Sequence, residues 1–281
     1  MKTRAITSAV IIAVGILIAA FSEYIVYPIA LAILAVIAIT EIFKVMQSQK
    51  RLILLIPACL LAAAFPIAAY FVDKSETILF LLSLAAAMFV YMMWLMGAGV
   101  FSKGKISFTR TAELFMAVFY ITISFTSLSM LRYLDRAVGL FVIVLVFAVA
   151  WLCDVFAFLV GSLFGKHKLI PEVSPKKTVE GAIGGIVFST LLCLGFGFGV
   201  DMIVENISVN YLVIGVAGAV LSVVSQLGDL IASLIKREYG VKDYGKLFPG
   251  HGGVMDRFDS VIAVSTILLI ICVVFPPFTF V

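Results

Sequence analysis

The stretch Lys246–Ser260, KLFPGHGGVMDRFDS, sets His251, Gly252 and Gly253 ahead of two aspartates, Asp256 and Asp259, with Arg257 between them. Carboxylates at i and i+3 share one face once a helix includes both. Such hard oxygen donors suit Mg²⁺, which takes one or two carboxylates and completes its shell with substrate phosphates and water. The paired glycines let backbone N–H groups approach an anion with no Cβ in the way. A second stretch, SPKKTVEG over Ser174–Gly181, puts Lys176 and Lys177 just before a predicted helix, whose N-terminus also favours anions. Singly these signals are weak, because a Gly–Gly pair is usually a turn and a lysine pair usually a topology signal. Concentrated in two loops, they point to phosphate chemistry.

The elements that position these loops are apolar. The chain is 63% hydrophobic and 13% charged, with mean hydropathy +1.21, against roughly 45–50% apolar usage in soluble domains. A membrane helix needs about 20 mainly apolar residues, and such stretches recur along the whole chain. The sequence therefore predicts an all-α, polytopic membrane bundle of about nine spans, near 5–21, 25–43, 52–71, 77–98, 112–131, 138–163, 180–200, 210–236 and 259–280. The first is read as a retained span rather than a cleaved signal. One transmembrane domain covers 1–281, with 1–135 mainly scaffold and 138–281 carrying the site. Cys59, Cys153, Cys193 and Cys272 lie in apolar runs without metal spacing and read as small buried hydrophobes.

Charge orients the bundle. With the N-terminus cytoplasmic, 17 of the 20 basic residues fall on inside segments, leaving Lys74, Arg132 and Arg136 outside. Topology and anionic lipid account for the net charge of +4 without a nucleic-acid partner.

Two carboxylates lie inside predicted spans, where each costs about 2.5–3.5 kcal/mol at a helix centre. Asp154 and Asp229 sit about 24 and 28 Å from the outer starts of their helices at 1.5 Å per residue, towards the cytoplasmic side. Glu180, Asp256 and Asp259 open spans from that same side. Ser222, Ser225, Gln226, Asp229, Ser233, Lys236 and Arg237 fall on one helical arc, expected to wall a wet cavity rather than to bond across a helix interface. Ala150, Ala157, Gly161 and Gly165 give the helix of Asp154 a small-residue face for close packing.

From Ser233 to Asp259 the chain reads SLIKREYGVKDYGKLFPGHGGVMDRFD. This resembles the signature of phosphatidate cytidylyltransferases, the CDP-diacylglycerol synthases: Ser-x-x-Lys-Arg, Lys-Asp, His-Gly-Gly and Asp-Arg-x-Asp. FGKHKLIPEVSPKKTVEG, Phe164–Gly181, is similar to the family's second conserved region. Val179 stands where that family often has tryptophan, and Ser162 where arginine is frequent.

The resemblance implies transfer of the cytidylyl group of CTP to phosphatidate, with Mg²⁺ or another divalent cation and room for a second cation. By matching positions, Asp229, Asp256 and Asp259 would bind metal, with Lys236 beside them in catalysis. Lys176, Lys177, Lys236, Arg237, Lys242 and Arg257 would clamp phosphates, with Thr178 and Ser233 in the substrate site. His251, Gly252 and Gly253 would form the nucleotide loop. A homo-oligomer in a bacterial inner membrane is expected, with the charge split placing the site on the cytoplasmic face. A polyprenol kinase-like enzyme is the alternative. A secondary transporter is disfavoured, because its charges belong at the midplane, often within repeats.

Overall fold

The structure, a computed structural model, describes residue 15 and residues 17–280. Among the described residues, eight helices are long and apolar enough to cross a membrane. They are α1 (Val26–Val45), α2 (Leu52–Ala68), α3 (Thr77–Phe101), α4 (Phe108–Tyr133), α5 (Gly139–Phe164), α6 (Val179–Ile203), α7 (Tyr211–Glu238) and α8 (Met255–Val274). They match eight of the nine expected spans; the first, 5–21, lies largely outside the described residues. The protein is an all-α integral membrane protein. Its apolar exposed side chains, such as Leu79, Phe158 and Leu212, are what a lipid-facing surface requires.

The last span differs from expectation at both ends. α8 begins at Met255, so Asp256 and Asp259 are both helical. It ends at Val274, and Phe278–Phe280 becomes a short strand, β4.

The chain forms two compact units. The first comprises the described residues up to Leu134 together with Val241–Arg257. Its most enclosed helix is α4, held by polar contacts to its neighbours. Tyr27 on α1 donates its hydroxyl to the Leu128 carbonyl at 3.3 Å. Ser129 donates to the Pro66 carbonyl of α2 at 2.7 Å. Buried Arg132 donates to the Ser22 hydroxyl at 2.9 Å.

The second unit comprises Asp135–Gly240 and the chain from Phe258. Here α5, α6 and α7 pack on one another. Small residues permit the close α5–α6 contact: a Cβ on Gly185 would stand 3.0 Å from the Cys153 carbonyl oxygen. Between α5 and α6 lies an antiparallel ribbon of β1 (Lys168–Ile170) and β2 (Ser174–Thr178). At the opposite helix ends β3 (Ile207–Val209) pairs with β4, where buried Phe278 meets Phe141 and Phe196.

Candidate active site

The second unit carries one cluster at the helix ends beside the β1–β2 ribbon. β2 runs directly into α6, and Thr178 caps that helix by accepting the Gly181 N–H at 3.1 Å. Strand alternation sends successive side chains to opposite faces. Lys176 is accordingly exposed, while Lys177 is half-buried and ion-paired, its Nζ 2.5 Å from Asp229 Oδ2. Glu180 braces the ribbon from the first turn of α6. It accepts the Lys166 and His167 backbone N–H groups and lies 2.6 Å from His167 Nδ1.

Asp259 of α8 reaches the same neighbourhood, within electrostatic range of Asp229, Lys236 and Asp154. The approach depends on Gly228, next to Asp229: a Cβ there would fall 2.7 Å from the Asp259 carbonyl oxygen and 2.6 Å from the Ala263 methyl. Ser260 donates its hydroxyl to Asp154 Oδ2 at 3.4 Å. Ser233 and Lys236 follow Asp229 along α7, half-buried, and Arg237 is exposed.

The polar stripe on α7 divides. Ser222, Ser225 and Gln226 are buried and bond to neighbouring helices. Ser222 meets the Ser189 hydroxyl at 2.8 Å, and Gln226 donates to the Ala182 carbonyl at 3.2 Å. These three are helix-interface residues, correcting the expected wet wall; only the segment from Asp229 onward carries accessible charge. Thr178, expected at the substrate, is buried with its hydroxyl oxygen in the α6 cap.

The first unit carries the GHGG loop. Expected to meet a substrate anion, the N–H groups in and beside this loop meet the protein's own carboxylates. Asp256 Oδ2 accepts the Tyr244 N–H at 2.8 Å and the Gly253 N–H at 2.9 Å. The reach back to Gly253 ties the first turn of α8 to the loop before it. Gly252 has φ +86°, and a Cβ there would meet the Asp256 carboxylate. Arg257 is exposed and donates its Nε to the His251 carbonyl at 2.8 Å; Lys242 is also exposed.

The second anion, Glu41 of α1, escaped the sequence reading. Its oxygens accept the Val254 and Met255 N–H groups at 3.0 Å each. The signal was available, since Glu41 is a carboxylate inside an expected span, like Asp154 and Asp229. Its bonds join α1 to the loop Val241–Arg257, which groups with the N-terminal helices.

Among the described residues no three His, Cys, Asp or Glu side chains could enclose a metal by themselves. The expected set of Asp229, Asp256 and Asp259 is therefore not assembled as a three-carboxylate group, and the Asp256 carboxylate is bonded within its own loop. The Asp229–Asp259 neighbourhood offers hard oxygen donors of the type that suits Mg²⁺.

A membrane-embedded helical protein with carboxylates and amines gathered at its helix ends is the class defined by this fold. The profile of the cytidylyltransferase family matches residues 2–275, and the chain belongs to that family. It is similar to phosphatidate cytidylyltransferases of Staphylococcus haemolyticus, at 42% identity over 174 residues, and Staphylococcus aureus, at 43% over 174 residues. In both cases the alignment covers 62% of this chain and 64% of the relative, so it spans less than two thirds of the relatives' length.

Proposed function

We propose that the protein transfers the cytidylyl group of CTP to phosphatidate, giving CDP-diacylglycerol and pyrophosphate. A phosphate oxygen of the lipid attacks the α-phosphorus of CTP, and the new P–O bond forms as the bond to the bridging oxygen breaks. Pyrophosphate leaves with that electron pair. No protein base is required, since the lipid phosphate is already ionised near neutral pH.

The observation that carries the reading is the Lys177–Asp229 pair with Asp259 and Lys236 around it. Two highly anionic reactants must be brought together, and fixed cations beside metal-binding carboxylates meet that demand. Lys177 and Lys236 hold phosphate oxygens, aided by Lys176, Arg237, Lys242 and Arg257. Ser233 contributes a hydroxyl to the substrate site, and His251, Gly252 and Gly253 form the nucleotide loop. Asp229 and Asp259 would hold Mg²⁺ or another divalent cation, with a second cation accommodated, while Asp256 closes the loop before α8. The bound ion supplies neutralisation of triphosphate charge.

The basic loops support a site on the cytoplasmic side, where CTP is available, and the bacterial relatives support an inner-membrane location. Homo-oligomeric assembly belongs to the same proposal. The test is pyrophosphate release by the purified protein. Release should require CTP, phosphatidate and Mg²⁺ together. Release of CDP in place of pyrophosphate would favour a lipid kinase and overturn the reading.

A further inference from the structure

We propose that Glu41 is a positioning residue for nucleotide binding: its carboxylate clamps the loop from Tyr244 to Met255 in the shape that receives CTP. This rests on the functional reading above, and assigns part of the nucleotide site to α1.

Glu41 is 8% exposed. Its Oε1 accepts the Val254 N–H and its Oε2 the Met255 N–H, both at 3.0 Å. These are consecutive donors at the head of α8, where N–H groups lack helical partners and the helix dipole favours negative charge. A carboxylate that bridges two such donors forms charge-assisted bonds, roughly twice as strong as neutral ones. The loop is built to admit it. A Cβ on Gly245 or Gly253 would run into the Glu41 carboxylate. Asp256 closes the same loop on Tyr244 and Gly253. Two carboxylates therefore satisfy four N–H groups between Tyr244 and Met255.

An ordinary helix start needs only a local Ser, Thr, Asn or Asp. A buried carboxylate brought from 213 residues away is a costlier device, because a charge removed from water must be fully bonded. What it fixes is the loop bearing His251, Gly252 and Arg257, with Arg257 bonded to the His251 carbonyl. Loss of the clamp loosens that loop first, so it weakens nucleotide binding rather than lipid binding.

The experiment measures CTP and phosphatidate affinity separately, on purified full-length protein in detergent, with amide hydrogen exchange over residues 244–256. In wild type the Val254 and Met255 amides exchange slowly. Glu41→Gln presents an amide N–H₂ to one of the two donors. It should speed their exchange and weaken CTP binding about tenfold, the loss of one charge-assisted hydrogen bond. Phosphatidate affinity should stay within about twofold, since no lipid contact is removed. Glu41→Asp keeps the charge on a shorter arm, and its CTP affinity should fall between those of wild type and E41Q. CTP binding by E41Q as tight as wild type, equal weakening towards both ligands, or E41D no better than E41Q would overturn the proposal. Wild type that binds no CTP would overturn the functional reading itself, a result separable from all of these.

Discussion

Lys177 and Asp229 are bonded to each other, Nζ to Oδ2 at 2.5 Å, across the β2 ribbon and the last turns of α7. The sequence assigns them to different tasks, one to phosphate and one to metal. Under the proposed function their contact joins the two tasks, because each ion sets the position of the other. Neutralising Lys177 leaves Asp229 and Asp259 facing each other without that cation. Lys177→Gln should lower kcat/KM on the order of 10²-fold, the scale for losing a preorganised electrostatic group. Lys176→Gln, on the exposed face of β2, should cost less than about tenfold. Losses of the Lys177 size from Lys103→Gln and Lys105→Gln would mean that loop charge acts only through topology.

Asp256→Asn separates loop closure from charge. The Asn carbonyl oxygen still accepts the Tyr244 and Gly253 N–H groups that Asp256 Oδ2 accepts. Detergent stability should therefore stay near wild type. Turnover at limiting Mg²⁺ should stay within about tenfold because the loop remains closed, whereas Asp259→Asn should lose about 10²-fold or more by removing a carboxylate proposed to hold the ion. Excess Mg²⁺ should restore part of that loss. Asp201→Asn, at the opposite helix ends beside Tyr211, should change little. A loss in D256N as large as in D259N would show that Asp256 also serves the ion.

Gly228→Ala tests the approach of α8 to Asp229. The added methyl meets the Asp259 carbonyl and Ala263, and overpacking of this kind costs about 1–3 kcal/mol. A lowered Tm accompanied by a larger loss of turnover is expected. Full activity at unchanged Tm would show that α8 tolerates displacement.

Orientation rests on the split of basic residues. A phosphatase reporter that works only outside the cytoplasm should be active after Val281 and inactive in the loop near Lys105. The reverse pattern would put the Lys177 cluster on the face away from cytosolic CTP.

Most of the scaffold was legible because membrane helices announce themselves by length and hydropathy, and eight expected spans match helices to within a few residues. The C-terminal strand was not, since Phe278–Phe280 is as apolar as the helix before it and becomes a strand only by pairing with Ile207–Val209. The α7 stripe showed which residues share a face, but not how far neighbouring helices cover it. Burial of Ser222, Ser225 and Gln226 depends on α5 and α6. Glu41 is the converse case. Its position in an apolar span marked it as unusual, but its partners lie 213 and 214 residues away, a separation no local pattern reveals.

The central claim is cytidylyl transfer to a lipid phosphate, and the fate of the α-phosphate of CTP tests it most directly. Purified protein is incubated with phosphatidate, Mg²⁺ and CTP labelled on either its α- or its γ-phosphate, and the lipid is then extracted. The account predicts α-label in the lipid and γ-label in pyrophosphate, with both products slowed on the order of 10²-fold in Lys177→Gln. Lipid carrying the γ-label, or α-label that never leaves the aqueous phase, would contradict it.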